Sequence, residues 1–477
     1  MSELIRILTA KENWQQKIND KTILDKWLIE ANSQNISSNI LLTATKLLKK
    51  TLHAKEYDED SEYDWNLQLN LDYDEIFTGC NCECKICSEN EFYYSDQEYS
   101  DEEQDEKAHK FYSECKCTMH LTNKKKNIMS KYILSSYKLV DDSIKNTLSS
   151  EINFLISQIP IDFHPHSNDQ VVDIVHPSLY PYISDISVII NKDENINKIT
   201  SNENIIFQWL PSDFEVIRDN KHISVKINSP INNLDFNENI VLYKTIADIF
   251  ALFVPKFDNL LKTLHLSSKI KSLKSSKSQL GKCQVIVKLS NTILNPDKPE
   301  FNEASWHLEG LASENIIATG IYYYSVDNID ISSNYLEFRS TVDTNCINYP
   351  QSCKKYIDKH YGFNDIDKSY NDKETTIDIG KISTIEDLCL VFPNFLQHKV
   401  SNLKLQDNTK SGTRNILVFF LVNPDITILS TKDVMPLQNI ISYNDAKLFR
   451  ELLMFERKYE VKEQNKFYER GWSFCEH

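Results

Sequence analysis

The sequence predicts an α+β protein built on a double-stranded β-helix, or jelly roll, with N-terminal helices, a long supporting helix and a C-terminal helix around it. Three observations predict this. Short β-branched runs separated by loops of Asn, Asp, Ser and Pro fill the second half of the chain, the punctuation of antiparallel sheets. Helical spacing is concentrated at the start, between Ile133 and Ile159, and at the end. A histidine and an acid two residues apart, a distant second histidine and an arginine follow one another inside the β region.

The elements follow in order. In the first fifty residues Trp14, Ile18, Trp27, Leu28 and Ile40-Leu41-Leu42 recur at helical spacing with no proline to interrupt them. Residues 54 to 126 differ in character, with acidic runs at Tyr57 to Asp60 and Asp101 to Glu106 that read as a solvated insertion or arm. From Ile133 to Ile159 the apolar positions step by three or four through Tyr137, Val140, Ile144, Leu148, Ile152 and Leu155. That spacing predicts one long amphipathic helix, ended by Pro160. Strands are predicted at Cys283 to Leu289, Ile316 to Tyr324, Tyr335 to Arg339, Leu388 to Phe392 and Asn415 to Val422. Only 8 glycines are present, so Asn and Asp are expected to take many left-handed turn positions. Asp445 to Val461 returns to helical spacing. The organisation expected is a helical region over 1–53, an acidic, cysteine-rich arm over 54–126, and a jelly-roll domain with flanking helices over 127–477.

Bulk composition excludes several classes. With 477 residues, 41% hydrophobic and 26% charged, the chain has ample core-forming capacity. A net charge of −16 argues against a nucleic-acid partner, because phosphate contacts need a local excess of Lys and Arg. No apolar run approaches the ~20 residues that span a bilayer. The start, Met1 to Arg6, has none of the pattern of an export signal. An odd count of 11 cysteines then reads as reduced thiols in a cytoplasmic or nuclear compartment.

Two clusters carry candidate chemistry. His307, Glu309 and His398 form a 2-His-1-carboxylate set, the face that holds non-heme Fe(II) and leaves positions open for co-substrates. His307 and Glu309 point the same way on a strand or at its end, because side chains alternate with period two. Arg414, placed just before a predicted strand, could grip the distal carboxylate of 2-oxoglutarate bidentately. Lys288 and Tyr322 are further candidates for the wall of that pocket. The second cluster is Cys84-x-x-Cys87 with Cys115-x-Cys117, beside Cys80, Cys82 and His120. Paired thiolates suit tetrahedral Zn(II), here as a structural clip, although the sequence does not say which of the seven candidates would bind.

Several segments also resemble the fungal family catalogued as domain of unknown function 4246. They include His176 to Pro181, Gln208 to Asp213, Ser229 to Leu234, Trp306 to Gly310 with Ala318 to Tyr324, Phe392 to His398, Gly412 to Leu417, and Cys475 to His477. The resemblance covers most of the chain from about residue 130 onward. It implies a relative of the Fe(II)/2-oxoglutarate-dependent dioxygenases, which hydroxylate a substrate with O2 and release succinate and CO2. Glu309 departs from the Asp usual at that position, which puts the metal geometry and turnover in doubt. The arm over 54–126 matches the family pattern poorly.

Two other readings stand beside the dioxygenase. One is a non-catalytic jelly-roll module that binds a metal or ligand in a regulatory or interaction role. The other is a zinc hydrolase, which lacks its His-Glu-x-x-His helix here. The substrate, a small molecule or a protein, is not legible. The acidic charge points only toward neutral or basic compounds such as an amine or a basic peptide.

Overall fold

The computed structural model describes residues 3–53, 128–191, 202, 204–219, 222–266, 279–302, 305–341, 364–367, 372–374, 376–469 and 471–473. The cysteine cluster and its candidate zinc ligands lie outside the described residues, as does Cys475 to His477.

The N-terminal region is helical as expected: α1 (Glu3–Thr9), α2 (Trp14–Lys17), α3 (Lys21–Ser33) and α4 (Ser38–His53). Asp20 starts α3 by accepting hydrogen bonds from Thr22 N at 2.8 Å and Ile23 N at 3.2 Å, which satisfies two orphan donors of the first turn. Leu41, Ala44, Leu47 and Leu48 of α4 bury one face.

The predicted helix from Ile133 to Ile159 is two elements. Leu134–Tyr137 is a strand, β1, and the helix α5 spans Asp142–Gln158. Lys138, at φ 53°, breaks the chain between them. Ile133 and Tyr137 fall at helical spacing by coincidence: Tyr137 is 59% exposed, and the ladder of β1 on Leu388–Pro393 overrides local periodicity. The helix ends at Gln158, and Ile159 turns extended ahead of Pro160.

The remaining elements in chain order are β2 (Val171–Val175), β3 (Tyr182–Ile183), β4 (Phe207–Gln208), β5 (Ser212–Asp219), β6 (His222–Ile227), α6 (Ile240–Leu266), β7 (Lys282–Leu294) and β8 (Glu300–Phe301). They continue with β9 (Ile316–Asp327), β10 (Tyr335–Thr341), β11 (Asn364–Asp367), β12 (Asp372–Glu374), β13 (Thr376–Ser383), β14 (Leu388–Pro393), β15 (Gln397–Val400), β16 (Leu403–Lys404), β17 (Gly412–Val422), α7 (Tyr443–Tyr468) and β18 (Gly471–Ser473). All five strands predicted from the sequence are present and longer than predicted.

An eight-stranded antiparallel sheet runs β1-β14-β9-β17-β7-β5-β6, with β2 also paired to β7. A smaller sheet runs β13-β10-β15, and a bridge between His307 and His398 adds a fourth segment at its edge. The two sheets face one another: Phe338 of β10 meets Phe392 of β14 with ring centroids 5.1 Å apart, and Phe392 meets His398 of β15 at 5.0 Å. This is the jelly-roll core in α+β surroundings that the sequence predicts.

The outer face of the large sheet is covered by α6, a helix not anticipated from the sequence. Its Ile246, Ile249, Phe250, Phe253, Phe257 and Leu260 are buried, each worth roughly 1.5–3 kcal/mol of apolar burial. Phe250 and Phe253 pack edge-on against Phe419 of β17. Gly320 of β9 lets the helix approach, since a Cβ there would lie 2.9 Å from Phe257 Cζ. Left-handed turns fall largely to Asn and Asp, among them Asn233, Asn315, Asn328 and Asp387. No described helix is long and apolar enough to cross a membrane.

Candidate metal centre

The site forms where the two sheets come together. His307, in the segment after β8, exchanges backbone hydrogen bonds with His398 of β15: His307 N donates at 3.2 Å and His398 N at 3.1 Å. This bridge sets the imidazoles side by side, with ring centroids 4.4 Å apart. Glu309, two residues on, brings Oε1 to 3.1 Å from His398 Nε2 and 3.8 Å from His307 Nε2. Ligand atoms of all three lie within 4.8 Å of one another.

Asn394, in the turn between β14 and β15, holds the acid in place. Its Oδ1 accepts from Glu309 N at 2.8 Å, and its Nδ2 donates to the carbonyls of Glu309 and Ile316, both at 2.9 Å. Gly310 (φ +79°) then turns the chain tightly over Glu314, whose Oε2 a Cβ would meet at 2.6 Å.

The tautomer of His307 and the charge of Glu309 suit a metal, while Nδ1 of His398 is buried without a hydrogen-bond partner. His307 Nδ1 lies 2.7 Å from the Ser305 carbonyl, which can only accept, so Nδ1 carries the proton and the Nε2 lone pair faces the site. Burial, and then the neighbouring His398, push His307 down to about 4, so it is neutral near pH 7. Burial alone would raise Glu309. The hydrogen bond from His398 and the surrounding positive groups outweigh it and hold the carboxyl down at about 2. Neutral imidazole beside ionised carboxylate is the donor set Fe(II) takes.

The strand register assigns the other candidates to faces. Arg414 lies within β17, as its third residue, and not ahead of the strand. It opposes Thr292 of β7, and Val418 opposes Lys288, which puts Arg414 and Lys288 on the face turned away from Phe419 and α6. Arg414 is 4% exposed, and its Nε and Nη1 have no partner.

Tyr322 is a correction. It shares the α6-covered face with Gly320, is fully buried, and its hydroxyl lies 3.5 Å from Asp387, so it cannot line a pocket that Arg414 faces. Its neighbour Tyr323 has the inward parity, and the Arg414 guanidinium lies 5.8 Å from the Tyr323 ring centroid.

Sequence reasoning also missed Asn394, Tyr323 and a second group on the inward face. That group is His164, Asp173 and His176, whose ligand-type atoms again fall within 4.8 Å of one another. Its signal was faint, because the three lie nine and three residues apart across a loop and a strand.

The model of a family described as a protein of unknown function (DUF4246) matches residues 97–282 and 265–443. No curated protein matches the chain. Among solved structures it is similar to the Fe(II)/(alpha)ketoglutarate-dependent dioxygenase TqaL, at 11% identity and TM-score 0.30 over 66% of this chain and 90% of that one. It is also similar to IDO from Bacillus thuringiensis, at 11% identity and TM-score 0.27 over 63% and 97%. A Pseudomonas putida prolyl-4-hydroxylase shares 6% identity at TM-score 0.25 over 62% and 96%.

Proposed function

This chain belongs to the DUF4246 family, and we propose that it is an Fe(II)- and 2-oxoglutarate-dependent dioxygenase. One observation carries the reading: a buried guanidinium with two unpaired nitrogens shares the inner face of the jelly roll with a 2-His-1-carboxylate cluster. A buried, unpaired cation is costly unless an anion completes it. A dicarboxylate chelating a metal at one end would supply that anion at the other.

In this reading His307, Glu309 and His398 hold Fe(II), and Arg414 pairs with the distal carboxylate of 2-oxoglutarate. Lys288 adds positive potential beside both, and Tyr323 takes the wall position expected of Tyr322. The bound metal and co-substrate would supply O2 activation, with succinate and CO2 as co-products and a hydroxylated substrate. The protein's part is to fix three ligands on one face, keep Nε2 of His307 unprotonated and leave the opposite positions open. Asn394 restrains the longer Glu309 side chain from its backbone, which answers the departure from Asp. A structural zinc at Cys84, Cys87, Cys115 and Cys117 would serve the arm over 54–126, apart from this chemistry.

The test is anaerobic addition of Fe(II) and 2-oxoglutarate, read by the visible metal-to-ligand charge-transfer band. The band is expected in the wild type, absent in His307→Ala and weakened in Arg414→Ala. Its absence from folded, iron-loaded wild type would leave a ligand-binding jelly-roll module as the better account.

A further inference from the structure

The second group on the inward face has no part in the site above. β2 lies against β7 with Asp173 opposite Ser290, so Asp173 shares the face of Lys288. Its Oδ2 is engaged, 2.9 Å from His164 Nδ1 and 3.6 Å from Arg450 Nη1. Its Oδ1 is buried without a hydrogen-bond partner, with His176 Nε2 at 3.9 Å, beyond hydrogen-bond reach. Arg450 is held bidentately by Asp162 at 2.5 and 2.9 Å and reaches Asp173 only at the longer 3.6 Å. A side chain 2% exposed therefore keeps an open acceptor on a carboxylate that His164 and Lys288 help to hold ionised against burial.

What that acceptor takes follows from the tautomer of His176. Ser178 N donates to His176 Nδ1 at 3.1 Å, so the lone pair is on Nδ1 and the proton on Nε2, facing Asp173. His307 differs, with Nδ1–H turned to a carbonyl and the Nε2 lone pair free. With the Nε2 proton of His176 in place, the open oxygen of the ionised Asp173 suits a hydrogen-bond donor.

It is also joined to the iron face. The His176 ring meets Trp209 at 6.1 Å, and Trp209 stacks on Phe420 at 5.6 Å. Phe420 and Phe392 flank Thr319 on either side in the sheet, and Phe392 meets His398. Lys288 acts electrostatically on Asp173 and His176 at one end of this wall and on His307 and Glu309 at the other. His164 and Lys288, beside Asp173, are half-buried and not sealed from the surface.

We propose that Asp173 is the substrate anchor of this enzyme, taking the protonated primary amine of a small molecule whose C–H bond then faces the iron site across the Trp209–Phe420–Phe392 wall. This rests on the dioxygenase reading for the reaction, though not for the binding. Asp173 Oδ1 accepts from the ammonium, and His176 Nε2–H is left to meet a neighbouring oxygen of the ligand.

The experiment is calorimetric titration of n-butylamine, 1,4-diaminobutane and L-lysine, with 1-butanol as the neutral isostere, into wild type and Asp173→Asn. It is done on metal-free protein and on protein loaded with Mn(II) and 2-oxoglutarate. The expected result is at least one amine binding tenfold or more tighter than butanol in the wild type, with that preference lost in Asp173→Asn. Equal binding of amines and butanol by the wild type would overturn the proposal even if the variant does not fold. So would retained amine preference in a folded variant, or a second equivalent of bound Mn(II) that disappears with Asp173. The charge-transfer band, recorded in parallel, reports the iron site separately. Its absence alongside amine binding at Asp173 would remove the dioxygenase and leave the anchor.

Discussion

Arg414→Met separates a functional cation from a structural one, because the two roles predict stability changes of opposite sign. Arg414 is 4% exposed, its Nε and Nη1 have no acceptor, and burial lowers its pKa. A buried polar group without a partner costs about 1–3 kcal/mol, and more when charged. Methionine keeps most of the apolar stem and volume at a cost of under about 1.5 kcal/mol. Without ligand the variant should therefore be as stable as the wild type or more stable, by up to about 2 kcal/mol. Saturating Mn(II) and 2-oxoglutarate should reverse that order. A ligand at a hundred times its Kd stabilises the native state by about 2.7 kcal/mol, and only the wild type retains the partner for the distal carboxylate. The assay is urea denaturation with and without the pair, under anaerobic conditions. A variant less stable than wild type without ligand, and still stabilised as strongly by 2-oxoglutarate, would show that Arg414 is a packing residue and refute the clamp.

Three other perturbations read the surroundings of the site. Asn394→Ala removes three hydrogen bonds, two of them to the Glu309 backbone, and should weaken metal binding about 10- to 100-fold, measured by Mn(II) titration. Gly320→Ala places a Cβ 2.9 Å from Phe257 and 3.0 Å from Phe253, so it should destabilise the fold by about 1–3 kcal/mol in urea. For pH, His307 is held at about 4 against an ordinary 6.5, so the unfolded chain takes up that proton first. Its contribution is intact above pH 6.5 and lost as pH falls toward 4, with a limiting slope of about 1.4 kcal/mol per pH unit, lessened because the side chain is 31% exposed. His176, also depressed by burial, acts in the same direction below 6.5. Glu309 follows lower, its contribution present above 4.5 and lost toward 2. A metal-free urea midpoint that is flat between pH 7 and 5 would contradict this.

What could be read from the sequence, and what could not, turns on strand parity. His307 and Glu309 are two apart, so they share a face whichever face that is, and the pair was legible without any structure. Tyr322 was not, because nearly all of β9 is buried on both sides and Tyr322, Tyr323 and Tyr324 offer no polar alternation from which to choose. The helix expected from Ile133 to Ile159 begins only at Asp142, for a related reason. Ile133 and Tyr137, four apart, satisfy a helix, but Leu134–Tyr137 is an edge strand whose partner, Leu388–Pro393, lies some 250 residues away. Asp173 hid differently: nothing in Val171 to Val175 distinguishes an acid aimed inward from one facing solvent until β7 is laid beside it.

One residue did carry the missing information. A glycine inside an apolar strand marks a close approach of something else, and Gly320 lies two residues from Tyr322 and three from Tyr323. Once α6 is recognised as the element pressing on Gly320, period-two alternation sends Tyr322 to the helix and Tyr323 to Arg414. The register of β17 on β7 then carries the inner face across to Lys288, and β2 carries it on to Asp173. The proposed amine anchor thus lies on the face of the large sheet that the candidate metal centre, on the smaller sheet, looks onto, and that face is fixed by where α6 packs.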